Sequence, residues 1–129
     1  SYVNNYTFFK KNKKNFLIMA SGDEHLYPCF KYGSDGSQVS IAAIVPEKVV
    51  ELIEKINNKK YKEAKIIDKY LLSLAKNIYG RYPQNFATAR IKYCLKILKK
   101  IPNDIMRSSI VLDKIEKKQL DRSLKFLKT

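Results

Sequence analysis

The sequence predicts an α/β chain whose first part alternates helix and strand and whose remainder, from Pro46 onward, is entirely helical. Three observations predict it. Two short apolar runs, FLIMA at 16–20 and VSIAAIV at 39–45, are bounded by glycine-bearing turns, as strands buried on both faces would be. Helix-like signals precede each run, and short turns separate the segments. Helix, strand, helix, strand in that order implies parallel strands joined by right-handed crossovers. Beyond Pro46 the apolar residues recur only at helical spacing.

Each element has a local reason. Val3, Tyr6 and Phe9 sit at helical spacing before a lysine-rich turn at 10–15. After the run 16–20, Gly22 and the acidic pair Asp23 and Glu24 open a helix carrying Leu26, Cys29 and Phe30. Asp23 is expected to cap that helix, with Glu24 near its positive end. Pro28 is tolerable close to the first turn, and Gly33 suits the left-handed position after the last one. GSDG at 33–36 is a turn. Pro46 fits a first helical position and Glu47 a first turn, with Val49, Leu52, Ile53 and Ile56 as the apolar stripe up to Asn57–Asn58. A helix from about Tyr61 to Tyr79 presents Ala64, Ile67, Leu71, Leu74, Ala75 and Ile78, and Gly80 and Pro83 stop it. Asn85 is expected to cap a third helix with the stripe Ile91, Cys94, Leu95 and Leu98, ending near Pro102. A last helix runs from about Asp113 to Leu127, with Leu120, Leu124 and Leu127 facing inward.

Composition narrows the function classes. Hydrophobic content of 45% in 129 residues supports one folded domain with a real core. No apolar run approaches the roughly 20 residues that span a bilayer, so no membrane association is expected. The first ten residues lack the design of a signal peptide and a starting Met, and either a longer polypeptide or a processing event ahead of Ser1 is expected. Cys29 and Cys94 match no CxxC or metal-ligand spacing, and the chain has one histidine; no metal site is expected, and both thiols read as small core hydrophobes in a reduced, intracellular protein. The net charge of +14 raises nucleic acid as a partner. The charges come as short clusters, Lys10–Lys11, Lys13–Lys14, Lys59–Lys60, Lys99–Lys100 and Lys117–Lys118, and lysine far outnumbers the arginine that specific phosphate and base readout favours. A solvated lysine-rich surface is the expectation and nucleic-acid binding is not. A basic helical nucleic-acid-binding module is the rival reading from a different class.

Two parallel strands do not make a stable sheet, and both runs want neighbours and cover on both faces. Six further strands are implied by a resemblance. SGDE at 21–24, GSDG at 33–36, the apolar run at 38–45, the helix opening at Pro46, the long helix through Ala64 to Tyr79, and ATARIKYCLKIL at 87–98 follow one another as in the dihydrodipicolinate synthase and N-acetylneuraminate lyase family. Archaeal 2-keto-3-deoxygluconate aldolases belong to the same group, and the resemblance covers nearly the whole chain. It implies the C-terminal part of a (β/α)8 TIM barrel followed by a helical extension. Residues 16–20 would be the seventh strand, 38–43 the eighth, 1–57 the last βα units and 58–129 the extension. A typical barrel takes roughly 250 residues, which places the first six strands upstream.

The chemistry implied by the resemblance is that of a class I aldolase. An upstream lysine forms a Schiff base with pyruvate, which then acts as an electron sink for making or breaking a carbon–carbon bond. That lysine and its proton-relaying tyrosine are expected before Ser1, so no catalytic residue is expected in this segment. No cofactor and no metal are implied. The reaction implied first is cleavage or formation of a 2-keto-3-deoxy sugar acid such as 2-keto-3-deoxygluconate, by a cytoplasmic homotetramer. The alternative is condensation of pyruvate with aspartate semialdehyde by a dihydrodipicolinate synthase. The substrate-binding residues implied are Gly22, where a missing side chain leaves room beside the Schiff base, and Gln38 or Val39, whose register is open by one residue. Gln38 departs from the aliphatic residue common there, Ala43 replaces a frequent Asn, and RSSIVL at 107–112 lacks the family's usual prolines.

The stretch FLIMASGDEH therefore has two readings, a plain strand-to-helix turn or the rim of an active site. Asp23 is a cap before it is a catalyst. His25 has the chemistry of an acid or base but no catalytic neighbour in the sequence. Ser40 is a candidate substrate contact by direction alone. Tyr79, Arg81 and Tyr82 read as a helix end or as part of a subunit interface. Lys92 is implied to be structural, pairing with a carboxylate or capping a carbonyl.

Overall fold

The computed structural model describes residues 2–11 and 15–125. In chain order it holds helix α1 (Tyr2–Lys11), strand β1 (Met19–Ala20), helix α2 (Leu26–Lys31), strand β2 (Gly36–Ser37), and helices α3 (Ile41–Ile44), α4 (Pro46–Asn57) and α5 (Tyr61–Tyr79). A short 3-10 turn (Gln84–Phe86) leads into α6 (Ala87–Ile97), and α7 (Lys114–Lys125) completes the described part. Leu127 lies outside the described residues.

The strands are parallel, as expected, with Met19 opposite Gly36 and Ala20 opposite Ser37. They are much shorter than the apolar runs. Hydrogen bonds from Asp35 N to Ile18 O (2.9 Å) and from Gln38 N to Ala20 O (3.3 Å) extend the ladder by one contact at each end. The Asp35 carboxylate also accepts from Ile18 N at 2.8 Å. Each strand has only the other as a neighbour among the described residues. Of the run 16–20, Ala20 alone is buried, whereas Phe16, Leu17 and Met19 are 56%, 80% and 50% exposed.

The expected second strand is corrected more fundamentally. Pairing occurs at Gly36–Ser37, ahead of the apolar run, and Ile41–Ile44 is helical. Ile41 and Ile44 are both completely buried. Residues three apart point to opposite faces of a strand but to one face of a helix, so only the helix buries both. Ala42 and Ala43 favour it further. Pro46 starts α4 directly after the break at Val45, at the first helical position as expected.

The helices assemble one core. Leu26 and Phe30 of α2, Leu52 of α4, Leu71, Leu74 and Ile78 of α5, and Leu120 and Leu124 of α7 are buried with Ile41 and Ile44. Burying such a side chain contributes roughly 1.5–3 kcal/mol. Gly33 takes the left-handed conformation (φ +97°) at the end of α2, and Ser34 N bonds back to Cys29 O at 3.1 Å. Both cysteines are free and buried. The stripe of α6 is rotated from the expected one: Ala89, Arg90, Tyr93 and Cys94 are buried, while Ile91, Leu95 and Leu98 are only partly so. Asn85 lies inside the 3-10 turn and does not cap α6.

The rotation of α6 has a polar cause. Arg90 is fully buried, pairs with Glu116 of α7, and donates to the carbonyls of Ile78 and Arg81 at the end of α5. Glu116 in turn belongs to a reciprocal cap, with Glu116 N donating to Asp113 Oδ1 at 2.7 Å and Asp113 N reaching Glu116 Oε2 at 3.4 Å. Several lysines are also structural. Lys100 Nζ donates to Ile44 O at 2.8 Å, Lys92 Nζ caps Ile105 O, and Lys96 pairs with Asp104 at 2.9 Å. Among the described residues no helix is long and apolar enough to cross a membrane.

Candidate functional site

Parallel strands leave their carboxyl ends on the same side, and in α/β folds that side is where ligands bind. Here the chain leaves β1 through Ser21 and Gly22 and leaves β2 through Gln38, and a cleft of about 410 Å³ opens between the two exits. Ser21, Gly22 and Gln38 line it together with Asp23, Glu24 and His25 from the first exit and Ser40 from the second. Tyr79, the last residue of α5, completes the wall. Residues from three separate stretches of sequence thus meet on one surface.

Gly22 makes the sharp exit from β1. Its φ of +91° lies where side chains are strained, and a Cβ there would stand 3.5 Å from His25 Cδ2, an ordinary contact. The constraint is therefore conformational rather than steric. His25 N bonds to Gly22 O at 3.1 Å, closing the turn and setting the start of α2.

Asp23 does cap a helix, but not the one that follows it. The residue before α2 is His25, and no side chain caps that end. Instead Asp23 Oδ1 accepts from Ile41 N at 2.7 Å, so the carboxylate caps α3, eighteen residues further along the chain. The contact ties the exits of β1 and β2 together. Burial pushes the Asp23 carboxyl above its ordinary value, opposed by the hydrogen bonds it accepts from the Ile41, Asp23 and Ser40 amides. At the other end of α3, Lys100 holds the Ile44 carbonyl. This four-residue helix is pinned from both sides.

Gln38 lines the cleft, whereas Val39 packs against the hydrophobic core. His25 is exposed at the rim beside Glu24. Ser40 lines the cleft and makes no side-chain cap to α3. Arg81 and Tyr82 are not part of this surface, and Tyr82 is 93% exposed. The arrangement offers two carboxylates, and amide, hydroxyl, imidazole and phenol groups able to hydrogen-bond a small polar molecule. Among the described residues no group of three His, Cys, Asp or Glu converges as metal ligands would. A second cleft, of about 320 Å³, lies beside Lys96 and Asp104 and contains their ion pair.

Sequence reasoning missed two residues. Tyr79 gave no sign of facing Gly22, because 57 positions separate them and only the path of α5 brings them together. Arg90 was detectable as a cation inside the apolar stripe of ATARIKYCLKIL.

A family model described as the dihydrodipicolinate synthetase family matches residues 2–127. Among solved structures, a crystal structure of dihydrodipicolinate synthase is similar with a TM-score of 0.69 and 21% sequence identity. The match covers 88% of this chain and 38% of that one, so the chain spans well under half the length of that relative. At this identity the likeness shows the fold alone. No curated protein matches the sequence.

Proposed function

We propose a function from one premise: this chain belongs to the dihydrodipicolinate synthetase family. Members of that family are pyruvate-dependent lyases on a TIM barrel. The whole protein, of which this chain is the C-terminal part, is read as a class I aldolase that cleaves and forms 2-keto-3-deoxy sugar acids such as 2-keto-3-deoxygluconate. Residues 1–57 are the last βα units of its barrel, with β1 in the seventh strand and β2 in the eighth, and residues 58–129 are the helical extension. A cytoplasmic homotetramer goes with this reading.

The observation that carries it is the cleft at the carboxyl ends of β1 and β2, where Gly22 and Gln38 face one space. In the proposed reaction a lysine upstream of Ser1 adds to the keto carbon of the substrate and expels water. The resulting iminium accepts the electron pair of the breaking carbon–carbon bond while a base takes the hydroxyl proton, and an aldehyde leaves. Protonation and hydrolysis of the enamine then release pyruvate and restore the lysine. Gly22 leaves space at the imine and Gln38 contacts the bound chain. The hydrogen-bonding lining of the cleft supports a hydroxylated substrate. Membership of the family also supports a second reading, condensation of pyruvate with aspartate semialdehyde as in a dihydrodipicolinate synthase.

Intact-mass analysis of the whole protein with pyruvate, with and without borohydride, tests the reading. A single reduced pyruvate adduct per chain is expected. No adduct under conditions that trap a known class I aldolase overturns it.

A further inference from the structure

Tyr79 stands where the helical part of the chain meets the cleft. Its ring is half-buried and packed against the core, yet it also lines the space shared by Gly22, Gln38 and Ser40. The backbone on either side of it is held by a buried side chain. Arg90 Nη1 donates to the carbonyl of Ile78 at 2.9 Å and to that of Arg81 at 3.2 Å, the residues on either side of the Tyr79–Gly80 pair. Arg90 is in turn held by two hydrogen bonds to Glu116 Oε1, at 3.0 and 2.7 Å. A side chain carried on so constrained a helix end loses little further entropy on engaging a ligand. A wall alone would need only the ring, whereas a phenol adds a group that both donates and accepts.

We propose that Tyr79 is a specificity-determining residue of the cleft, whose hydroxyl hydrogen-bonds a hydroxyl on the aldehyde-derived half of the substrate. The inference rests on the aldolase reading above and deepens it: the extension is part of the site. Arg90 and Glu116 are positioning residues that act through the end of α5. Pyruvate itself has no hydroxyl to offer, so its binding does not depend on Tyr79.

The test uses the whole protein and its Tyr79→Phe and Tyr79→Ala variants, condensing pyruvate with glyceraldehyde, which carries hydroxyls, or with propionaldehyde, which carries none. Tyr79→Phe should raise the KM for glyceraldehyde about fivefold, the size of one net hydrogen bond, with kcat, the KM for pyruvate and the KM for propionaldehyde unchanged. Tyr79→Ala should raise the KM for both aldehydes, since the wall goes with the hydroxyl. If Tyr79→Phe leaves glyceraldehyde unaffected, or affects both aldehydes equally, the proposal is overturned while the aldolase reading stands. A borohydride-trapped pyruvate adduct without turnover of glyceraldehyde overturns it as well. Absence of the adduct in the unsubstituted protein removes the aldolase reading, and this inference with it.

Discussion

Arg90 Nη2 stands 2.7 Å from Glu116 Oε1, and the guanidinium is completely shielded from solvent. The pair joins α6 to α7, and the remaining donors of Arg90 satisfy carbonyls that the end of α5 would otherwise bury unpaired. Three helices of the second half therefore share one polar node within an apolar core.

Arg90→Met should be among the most destabilising changes in the chain. It leaves Glu116 without its partner and strands the Ile78 and Arg81 carbonyls, and breaking a buried pair costs about 3–5 kcal/mol. Urea unfolding measures it. A loss below about 1 kcal/mol would mean the pair is solvated and carries little.

Asp23→Ala should cost about 1 kcal/mol, the usual value of a lost helix cap, even though the helix concerned is only four residues long. Asp23→Asn keeps an acceptor and should retain much of it. The two variants also separate a pH effect. Burial raises the folded-state pKa of Asp23 above the unfolded one, so the folded chain holds the proton more tightly. That contribution is complete below the unfolded pKa and is lost as pH rises through the folded one. The stability of the unsubstituted chain minus that of Asp23→Asn should therefore decline with rising pH across the carboxylate range. Asp68, also raised by burial, is common to both and cancels.

Tyr93 should titrate late. Burial, with the hydrogen bond its hydroxyl donates to the Asp121 carboxylate at 3.1 Å, pushes the phenol up to about 12. Phenolate absorbance should show a component near that value, and Asp121→Asn should lower it. Because the folded pKa is the higher one, stability is lost as pH climbs from the ordinary tyrosine range toward 12. Ionisation of every tyrosine together near 10 would contradict this.

Lys59→Gly and Lys99→Gly should stabilise the chain. Both lysines sit in the left-handed region, at φ 58° and 57°, where α4 and α6 end. The next amides bond back to Lys55 O at 2.8 Å and Leu95 O at 2.9 Å, a geometry that favours glycine. Relief of about 1 kcal/mol at each is expected, read as a higher unfolding midpoint. A fall in the midpoint would show that the lysine side chains contribute more than the backbone loses.

Much of the helical part was legible because a helix is a local object. The spacing of Val49, Leu52 and Ile56, or of Leu71, Leu74 and Ile78, fixes which face is buried without reference to anything distant. The stripe of α6 was misread because Arg90 is polar by type yet buried by partnership. The run at 39–45 was misread because four apolar residues suit a buried strand and a buried helix equally, and composition cannot choose. The resemblance pointed to Gly22 together with Gln38 or Val39, and only the packed chain shows that Gln38 shares the cleft with Gly22 while Val39 joins the core; Tyr79 had no local mark.

By itself, then, the sequence determined where α4 begins and where α5 begins and stops, that Gly33 takes a left-handed turn, that two strands run parallel, and that Asp23 is a capping residue. These follow from backbone and side-chain preferences acting within a few residues. Only the tertiary structure decided that Asp23 caps α3 and not α2, that Arg90 finds Glu116 across 26 positions, and that Tyr79 closes the cleft. A hydrogen-bonding group is satisfied by whichever partner the packed chain brings within about 3 Å, and that choice belongs to the packing of whole helices rather than to any one segment.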